Sequence, residues 1–121
     1  APGPCVDRSP PARVGLAVRR VRGRIVLSGR ATDRGCGRIR TVRVAVTRVG
    51  RGRTCRFVTS RGGIARPRLC SKPLYIRARG RETWRLTLPK RLPRGRYSAV
   101  TRAVDAGGRA GPFGTPRTFR R

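Results

Sequence analysis

Positive charge is the sequence feature that most constrains the fold of this chain. Its 121 residues include 32 lysines and arginines but only 4 acidic residues, and the formal net charge is +28. Because like charges repel, most strongly at low salt, a compact state of this chain loses stability to self-repulsion. A further source of stability is therefore needed, and disulfides and bound anions are the candidates.

The cationic residues are almost all arginine, with 30 arginines against 2 lysines. A basic chain selected only for attraction to phosphate or membranes would normally use both residues. Two explanations stay open. One is a GC-rich genome, in which codons for arginine, alanine, glycine and proline are common. The other is selection for guanidinium groups, which bind anions in bidentate fashion and keep their charge.

Four cysteines, at Cys5, Cys36, Cys55 and Cys70, predict two disulfides. They are separated by 30, 18 and 14 residues, and the chain has no histidine, so the close pairs of a zinc site are missing. Disulfides indicate an oxidising compartment, but the spacing leaves all three pairings open. The chain starts at Ala1, which is typical of a secreted protein after signal removal and equally of a trimmed fragment.

Length and residue periodicity predict one all-β domain. A chain of 121 residues has room for a single ordinary domain, with a Pro-rich lead-in at 1–12 and the domain at 13–121. Apolar and polar residues alternate with the period of a strand, and no helical pattern exceeds two turns. About eight strands with turns between them indicate an antiparallel β-sandwich. The predicted strands are 13–22, 25–31, 39–49, 54–59, 74–79, 83–88, one within 92–108, and 115–120, with a loop at 60–73 and a turn at 79–81.

Two aromatic residues are predicted to hold this domain together. Trp84, the only tryptophan, lies on the apolar side of an alternating strand, which favours the core over a ligand platform. Tyr97 comes just after Pro93 and Gly95, and this spacing predicts a tyrosine corner, in which the hydroxyl bonds back to nearby backbone. The alternative for Tyr97 is an ordinary buried strand residue.

Two segments, 27–46 and 92–111, resemble the bacterial Ig-like and fibronectin-III-like modules of secreted and cell-surface proteins. Those modules often carry an A-x-D-x-x-G stretch before an alternating strand, and a G-x-Y…R-A-x-D-x-x-G segment near the end. The resemblance implies an antiparallel Ig/fibronectin-III-like β-sandwich of about 7–8 strands, whose function is holding surfaces apart or binding. The matching residues are Ala31 and Asp33, with Gly37 one position late, and then Gly95, Tyr97, Arg102, Ala103, Asp105 and Gly108.

The same resemblance implies roles for the cysteines and two aspartates. In an Ig-like sandwich the start of the first strand and the loop after the second lie at one end, which would pair Cys5 with Cys36 and leave Cys55 to pair with Cys70. Asp33 and Asp105 are expected in loops, bonded to backbone amides in turns. Calcium is the alternative for these aspartates, but it needs several carboxylates, and arginines are close by in sequence.

The residue types disfavour an enzyme. Without histidine there is no usual general base near neutral pH and no Ser-His or Cys-His pair. The four acids are spread from Asp7 to Asp105, and no phosphate-binding glycine motif is present. We expect no catalytic residue, no metal and no cofactor. No segment approaches the roughly 18 apolar residues of a transmembrane helix.

Arginines on strands and in the middle of the chain are the predicted anion-binding residues. The expected partners are polyanions: anionic envelope polymers or glycans, or nucleic acid bound through phosphates without base readout. An acidic protein partner and self-assembly into a surface fibre or layer are structural alternatives. The chain is thus expected to be a secreted or cell-surface binding module. The selected residues are Arg43, Arg85 and Arg102 on strands, and Arg51, Arg53, Arg66 and Arg68 in the middle.

Overall fold

The described part of the chain is built from β-strands alone. A computed structural model describes residues 13–32, 39–50, 52–105, 108, 110–111 and 113–121. The lead-in 1–12 and the predicted residues Asp33, Cys36 and Arg51 lie outside them, as does Cys5. The strands are β1 (Arg13–Val14), β2 (Ala17–Val21), β3 (Arg24–Thr32), β4 (Ile39–Arg48), β5 (Thr54–Phe57), β6 (Arg68–Leu69), β7 (Ile76–Arg77), β8 (Arg79–Gly80), β9 (Thr83–Thr87), β10 (Arg96–Asp105) and β11 (Arg117–Arg120).

These strands form two antiparallel sheets, which confirms the all-β prediction. The first sheet has the order β1-β3-β9-β8, with β2 also paired to β3. The second has the order β11-β10-β4-β5-β6, with β7 also paired to β4. The prediction of about eight strands was too low. The predicted strand 13–22 is divided into β1 and β2, and β6 and β8 form where the pattern predicts a loop and a turn.

The first predicted strand, 13–22, is divided where the chain passes very close to β3. β1 and β2 both pair with β3, on either side of Gly15 and Leu16. The Gly15 amide still donates to the Arg30 carbonyl at 2.7 Å, so the chain stays along β3 through the interruption. A Cβ atom at Gly29 would overlap the Gly15 carbonyl, and glycine at 29 is what permits this approach.

The hydrophobic core lies between the two sheets. Alternate residues of β4, namely Val42, Val44 and Val46, are each 0% exposed, as is Leu27 of β3. Trp84 is 1% exposed and packs in the same cluster, which is the position that its strand periodicity predicts. Because burial of one large aliphatic side chain stabilises a fold by about 1.5–3 kcal/mol, this lean core still supplies a substantial driving force.

Tyr97 begins the long strand β10 and has the geometry of a tyrosine corner. Its side chain is 0% exposed, and its hydroxyl donates to the Pro93 carbonyl at 2.6 Å. The ring stacks on Phe119 of β11 with 5.6 Å between centroids. Burial raises the pKa of the Tyr97 hydroxyl, while the charges of Arg48 and Arg121 act in the opposite direction. The hydroxyl therefore remains a donor at neutral pH.

The middle of the chain is closed by a disulfide. Cys55 and Cys70 are bonded across a sequence separation of 15, which confirms the pairing that the resemblance implies for these two residues. Cys55 is in β5 directly opposite Arg68 of β6, so the bond ties the end of a short hairpin. The predicted bond between Cys5 and Cys36 falls outside the described residues.

Asp105 departs from its predicted place in a loop. It is the last residue of β10, opposite Ile39 of β4, and it is 2% exposed. The ladder between these strands shifts register between Val104 and Asp105. Tyr97 and Ala103 are buried on the same face of β10, so strand alternation alone places Asp105 inward at the end of the strand.

The tyrosine corner can be tested with Tyr97→Phe. Loss of one hydrogen bond is expected to lower the free energy of unfolding by about 1 kcal/mol. The matched control is Tyr75→Phe, because the Tyr75 hydroxyl is buried without a hydrogen-bond partner among the described residues. Urea unfolding followed by Trp84 fluorescence measures both, and equal losses in the two variants would contradict the corner.

The disulfide can be tested with the double variant Cys55→Ala/Cys70→Ala. For a loop of about 15 residues, opening the cross-link is expected to lower the free energy of unfolding by about 3 kcal/mol. The control, Thr54→Ala/Leu69→Ala, alters the next register pair of the same hairpin, where both side chains are exposed. It should cost less than about 1 kcal/mol. A control loss as large as that of the cysteine variant would show that the hairpin side chains stabilise the middle segment.

Candidate functional site

The predicted anion-binding arginines lie on three separate parts of the molecule. Arg43 and Arg102 are on the second sheet, and Arg85 is on the first. Arg53, Arg66 and Arg68 are exposed residues around the disulfide-closed hairpin. Arg51 lies outside the described residues. The structure therefore pairs Arg43 with Arg102, leaves the described hairpin arginines in a group of their own, and places Arg85 on the other sheet.

A row of three arginines crosses the outer face of the second sheet. Arg43 of β4 is directly opposite Arg102 of β10 on one side and Arg77 of β7 on the other. Because neighbouring strands are about 4.8 Å apart, the three Cα atoms span roughly 10 Å. Arg43 and Arg77 are exposed, and Arg102 is half-buried. We call these three residues the arginine row.

Arg102 is held by two contacts at the end of the arginine row. Its Nε donates to the Gly111 carbonyl at 2.8 Å, and its guanidinium carbon lies 4.6 Å from the centre of the Phe113 ring. Phe113 is 49% exposed and stacks against Tyr75, with ring centroids 6.2 Å apart. The cation–π contact and the hydrogen bond restrict the Arg102 side chain, so binding of an anion there would cost less rotamer entropy.

No described register neighbour on the same face offsets the charge of the arginine row. Like charges at directly opposed strand positions are destabilising. The adjoining register pairs are uncharged: Val100 faces Ala45 on one side, and Val104 faces Thr41 on the other. A bound anion would reduce the repulsion within the row, which gives the row a physical preference for anionic ligands.

Arg85 belongs to a second basic face on the other sheet. It lies in β9, directly opposite Ser28 of β3 and Arg79 of β8, and both arginines are exposed. Its inward neighbours, Trp84 and Leu86, are in the core, so Arg85 faces away from the arginine row with the core between them. A rigid ligand on Arg43 and Arg102 therefore cannot also reach Arg85 unless it wraps around the sandwich.

The hairpin arginines are positioned by the disulfide and its ladder. Arg68 is in β6 opposite Cys55, and the Cys70 amide donates to the Arg53 carbonyl at 2.9 Å. Arg66 lies just before β6 in the connecting loop. Their side chains are exposed, and none of the three is opposite another arginine in the described register pairs. This group therefore resembles a solvated surface more than a formed site.

Sequence reasoning missed Arg77 and Arg79 as members of basic clusters. Arg77 belongs to the row only because β7 pairs with β4, and Arg79 meets Arg85 only because residues in a predicted turn form β8. The sequence offered one indication that both arginines point away from the core. Exposed Arg77 and Arg79 alternate with Ile76 and Ala78, which are 4% and 5% exposed.

Comparisons with known proteins do not assign the chain to a family. No protein-family model matches the chain, and no curated protein matches it. Within the described ranges, no three cysteine or acidic side chains come together in a way that could hold a metal ion. That part of the chain also has no helix long and apolar enough to cross a membrane. Function must be inferred from the basic faces.

Repulsion within the arginine row can be measured with Arg43→Gln. Removing the central charge is expected to raise the free energy of unfolding by about 0.5 kcal/mol at low salt. The gain should vanish near 1 M salt, where the screening length is about 3 Å. Urea is the suitable denaturant, since guanidinium chloride would itself screen the charges.

The control is Arg40→Gln, an exposed residue of the same strand that has no register partner on β10. It removes the same charge from the same sheet but leaves the row intact. Equal stabilisation by the two variants would mean that the repulsion is spread over the whole molecule.

Proposed function

We propose that this chain is a non-catalytic, extracellular Ig-like β-sandwich module that binds polyanions through its arginine-rich faces. The observation that carries the proposal is the arginine row, in which three arginines occupy directly opposed register positions on the outer face of one sheet. Guanidinium groups match the geometry of phosphate, sulfate and carboxylate groups. Anionic envelope polymers and acidic glycans are the partner classes that this chemistry favours.

The strand order supports the Ig-like part of the proposal. In Ig-type sandwiches one sheet has the order A-B-E-D, and the other places C and F beside each other with G at the edge. Here β1 and β2, β3, β9 and β8 follow the first order, and β4, β10 and β11 follow the second. Tyr97, at the start of the strand equivalent to F, agrees with this alignment because the tyrosine corner occurs at that position.

The available side chains support a binding role over catalysis. Histidine is missing from the whole sequence, and two of the four acids lie in the described residues. Of these, Asp105 is buried at the end of β10 and Glu82 is exposed in the turn before β9. The two acids therefore do not share an open cleft in which one could act as acid and the other as base.

The disulfide supports an extracellular or otherwise oxidising location. A bond between Cys55 and Cys70 is stable where thiols are not kept reduced. It also closes the middle segment of a domain that carries strong self-repulsion. A secreted or cell-surface protein would meet acidic envelope polymers in the same compartment.

A second candidate function is extracellular binding of nucleic acid without sequence preference. Phe113 favours it, because this half-exposed ring lies beside the arginine row and aromatic rings stack with bases. The arginines would contact phosphates, since the described residues contain no helix for a major groove.

The proposed function can be tested with salt titrations of heparin and double-stranded DNA binding to wild type and Arg43→Gln. Each lost phosphate contact is expected to reduce the log–log salt slope for duplex DNA by about 0.9. Arg96→Gln is the control, because Arg96 is exposed on the same sheet, opposite Arg120 and away from the row. Both variants lose one charge.

A smaller slope for Arg43→Gln, with no change for Arg96→Gln, supports polyanion binding at the arginine row. Clearly tighter binding to DNA than to heparin, with a defined site size, would favour the nucleic-acid candidate. Equal effects of the two variants, with affinity lost by physiological salt, would contradict a binding face and indicate a nonspecific charge effect.

A further inference from the structure

The chain crosses from the second sheet to the first between Arg77 and Arg79. Arg77 is paired within the second sheet through β7, and Arg79 within the first through β8. Ala78 is the one residue between them. It is 5% exposed, and its amide donates to the Val42 carbonyl at 2.9 Å. This anchored residue fixes two exposed arginines on either side of the crossing.

The crossing borders a cleft that is strongly basic. The cleft has a volume of about 600 Å³, and its described lining residues include four arginines but no acidic residue. Arg79 and Arg85 are directly opposite each other in register, so their side chains start from neighbouring strands on one face. We call it the crossing cleft; its arginines are Arg24, Arg77, Arg79 and Arg85.

The other lining residues indicate what the arginines could hold. Ser60 and Thr87 contribute hydroxyl groups, which donate hydrogen bonds to anions. Ile76, Leu86 and Pro89 provide an apolar part of the wall. The volume falls within the range of about 300–1,000 Å³ that is typical of small-molecule sites, and it exceeds what one tetrahedral anion needs. An anionic group attached to a larger organic molecule fits this combination of arginines, hydroxyl groups and an apolar wall.

A neighbouring groove provides space for such a molecule. It has a volume of about 460 Å³ and shares Arg24, Arg85 and Thr87 with the crossing cleft. From there it continues along the outer face of the first sheet past Val21 and Val26. An anionic group in the cleft could therefore remain attached to a ring or short chain that lies along the groove.

We propose that the crossing cleft is a binding site for a phosphate or sulfate monoester, whose tetrahedral group is held by Arg79 and Arg85 together with Arg24 and Arg77. The fork of each guanidinium pairs with two oxygens of such a group, and the ligand relieves the repulsion among the arginines. The inference rests on the proposed function and deepens it, because it assigns one discrete site and its ligand class.

The test is calorimetric titration with glucose 6-phosphate and glucose 6-sulfate at about 150 mM salt, where surface attraction is screened beyond about 8 Å. Glucose and inorganic phosphate are the reference ligands. The variant Arg79→Gln/Arg85→Gln is expected to bind the esters at least about tenfold more weakly than wild type. Arg77 is left unchanged, because it belongs to both the arginine row and the cleft.

The matched control is Arg96→Gln/Arg120→Gln. Arg96 and Arg120 are also exposed and directly opposed in register, and the control removes the same number of charges from residues that do not line the cleft. It should change ester affinity by less than about twofold. Saturable binding of either ester that is lost only in the cleft variant supports the site. The ester that binds more tightly shows whether the site prefers phosphate or sulfate.

Three outcomes would overturn the inference: no saturable ester binding by wild type, equal loss in the two double variants, or inorganic phosphate binding as tightly as the esters. If one of these occurs while Arg43→Gln still reduces the salt slope for polymer binding, the cleft assignment fails and the proposed function stands. If the cleft variant loses the esters but Arg43→Gln leaves the polymer slope unchanged, the proposed polymer-binding face fails instead.

Discussion

The pairing of β4 with β10 is the interaction on which the rest of the structure depends. These two ten-residue strands form the longest ladder in the described chain. One side of the ladder contributes Val44 and Ala99 to the core, and the other side places Arg43 beside Arg102. The same pairing that buries apolar surface therefore also concentrates positive charge, because alternate residues of a strand point to opposite faces.

The two-sheet arrangement makes this charge tolerable without removing it. Arginines within one face start from strands about 4.8 Å apart, whereas the two outer faces are separated by the whole core between sheets about 10 Å apart, so repulsion between the faces is weaker than repulsion within a face. Repulsion within each face remains, since Arg43 has Arg77 and Arg102 as neighbours and Arg85 has Arg79. The proposed anion binding and the distribution of charge over two faces thus rest on one architecture.

Local sequence was informative wherever a single segment sets its own conformation. The Pro93 and Gly95 spacing predicted the backbone bond of the Tyr97 hydroxyl, because that contact spans only four residues. It was less informative where distant segments meet. Arg79 and Gly80 read as part of a turn, yet they pair with β9, and Asp105 read as a loop residue, yet it ends β10 on the buried face of that strand.

The sequence by itself determined the longer strands, their inward residues such as Val42 and Trp84, and the net charge of +28. These follow from residue periodicity and composition, which need no knowledge of the partner strand. Tertiary structure alone decided which arginines become neighbours. Arg77 joins Arg43 across 33 intervening residues, and Arg77 and Arg79 border one cleft because the chain changes sheets at Ala78. Register between distant strands depends on the packing of the whole sandwich, and no local pattern encodes it.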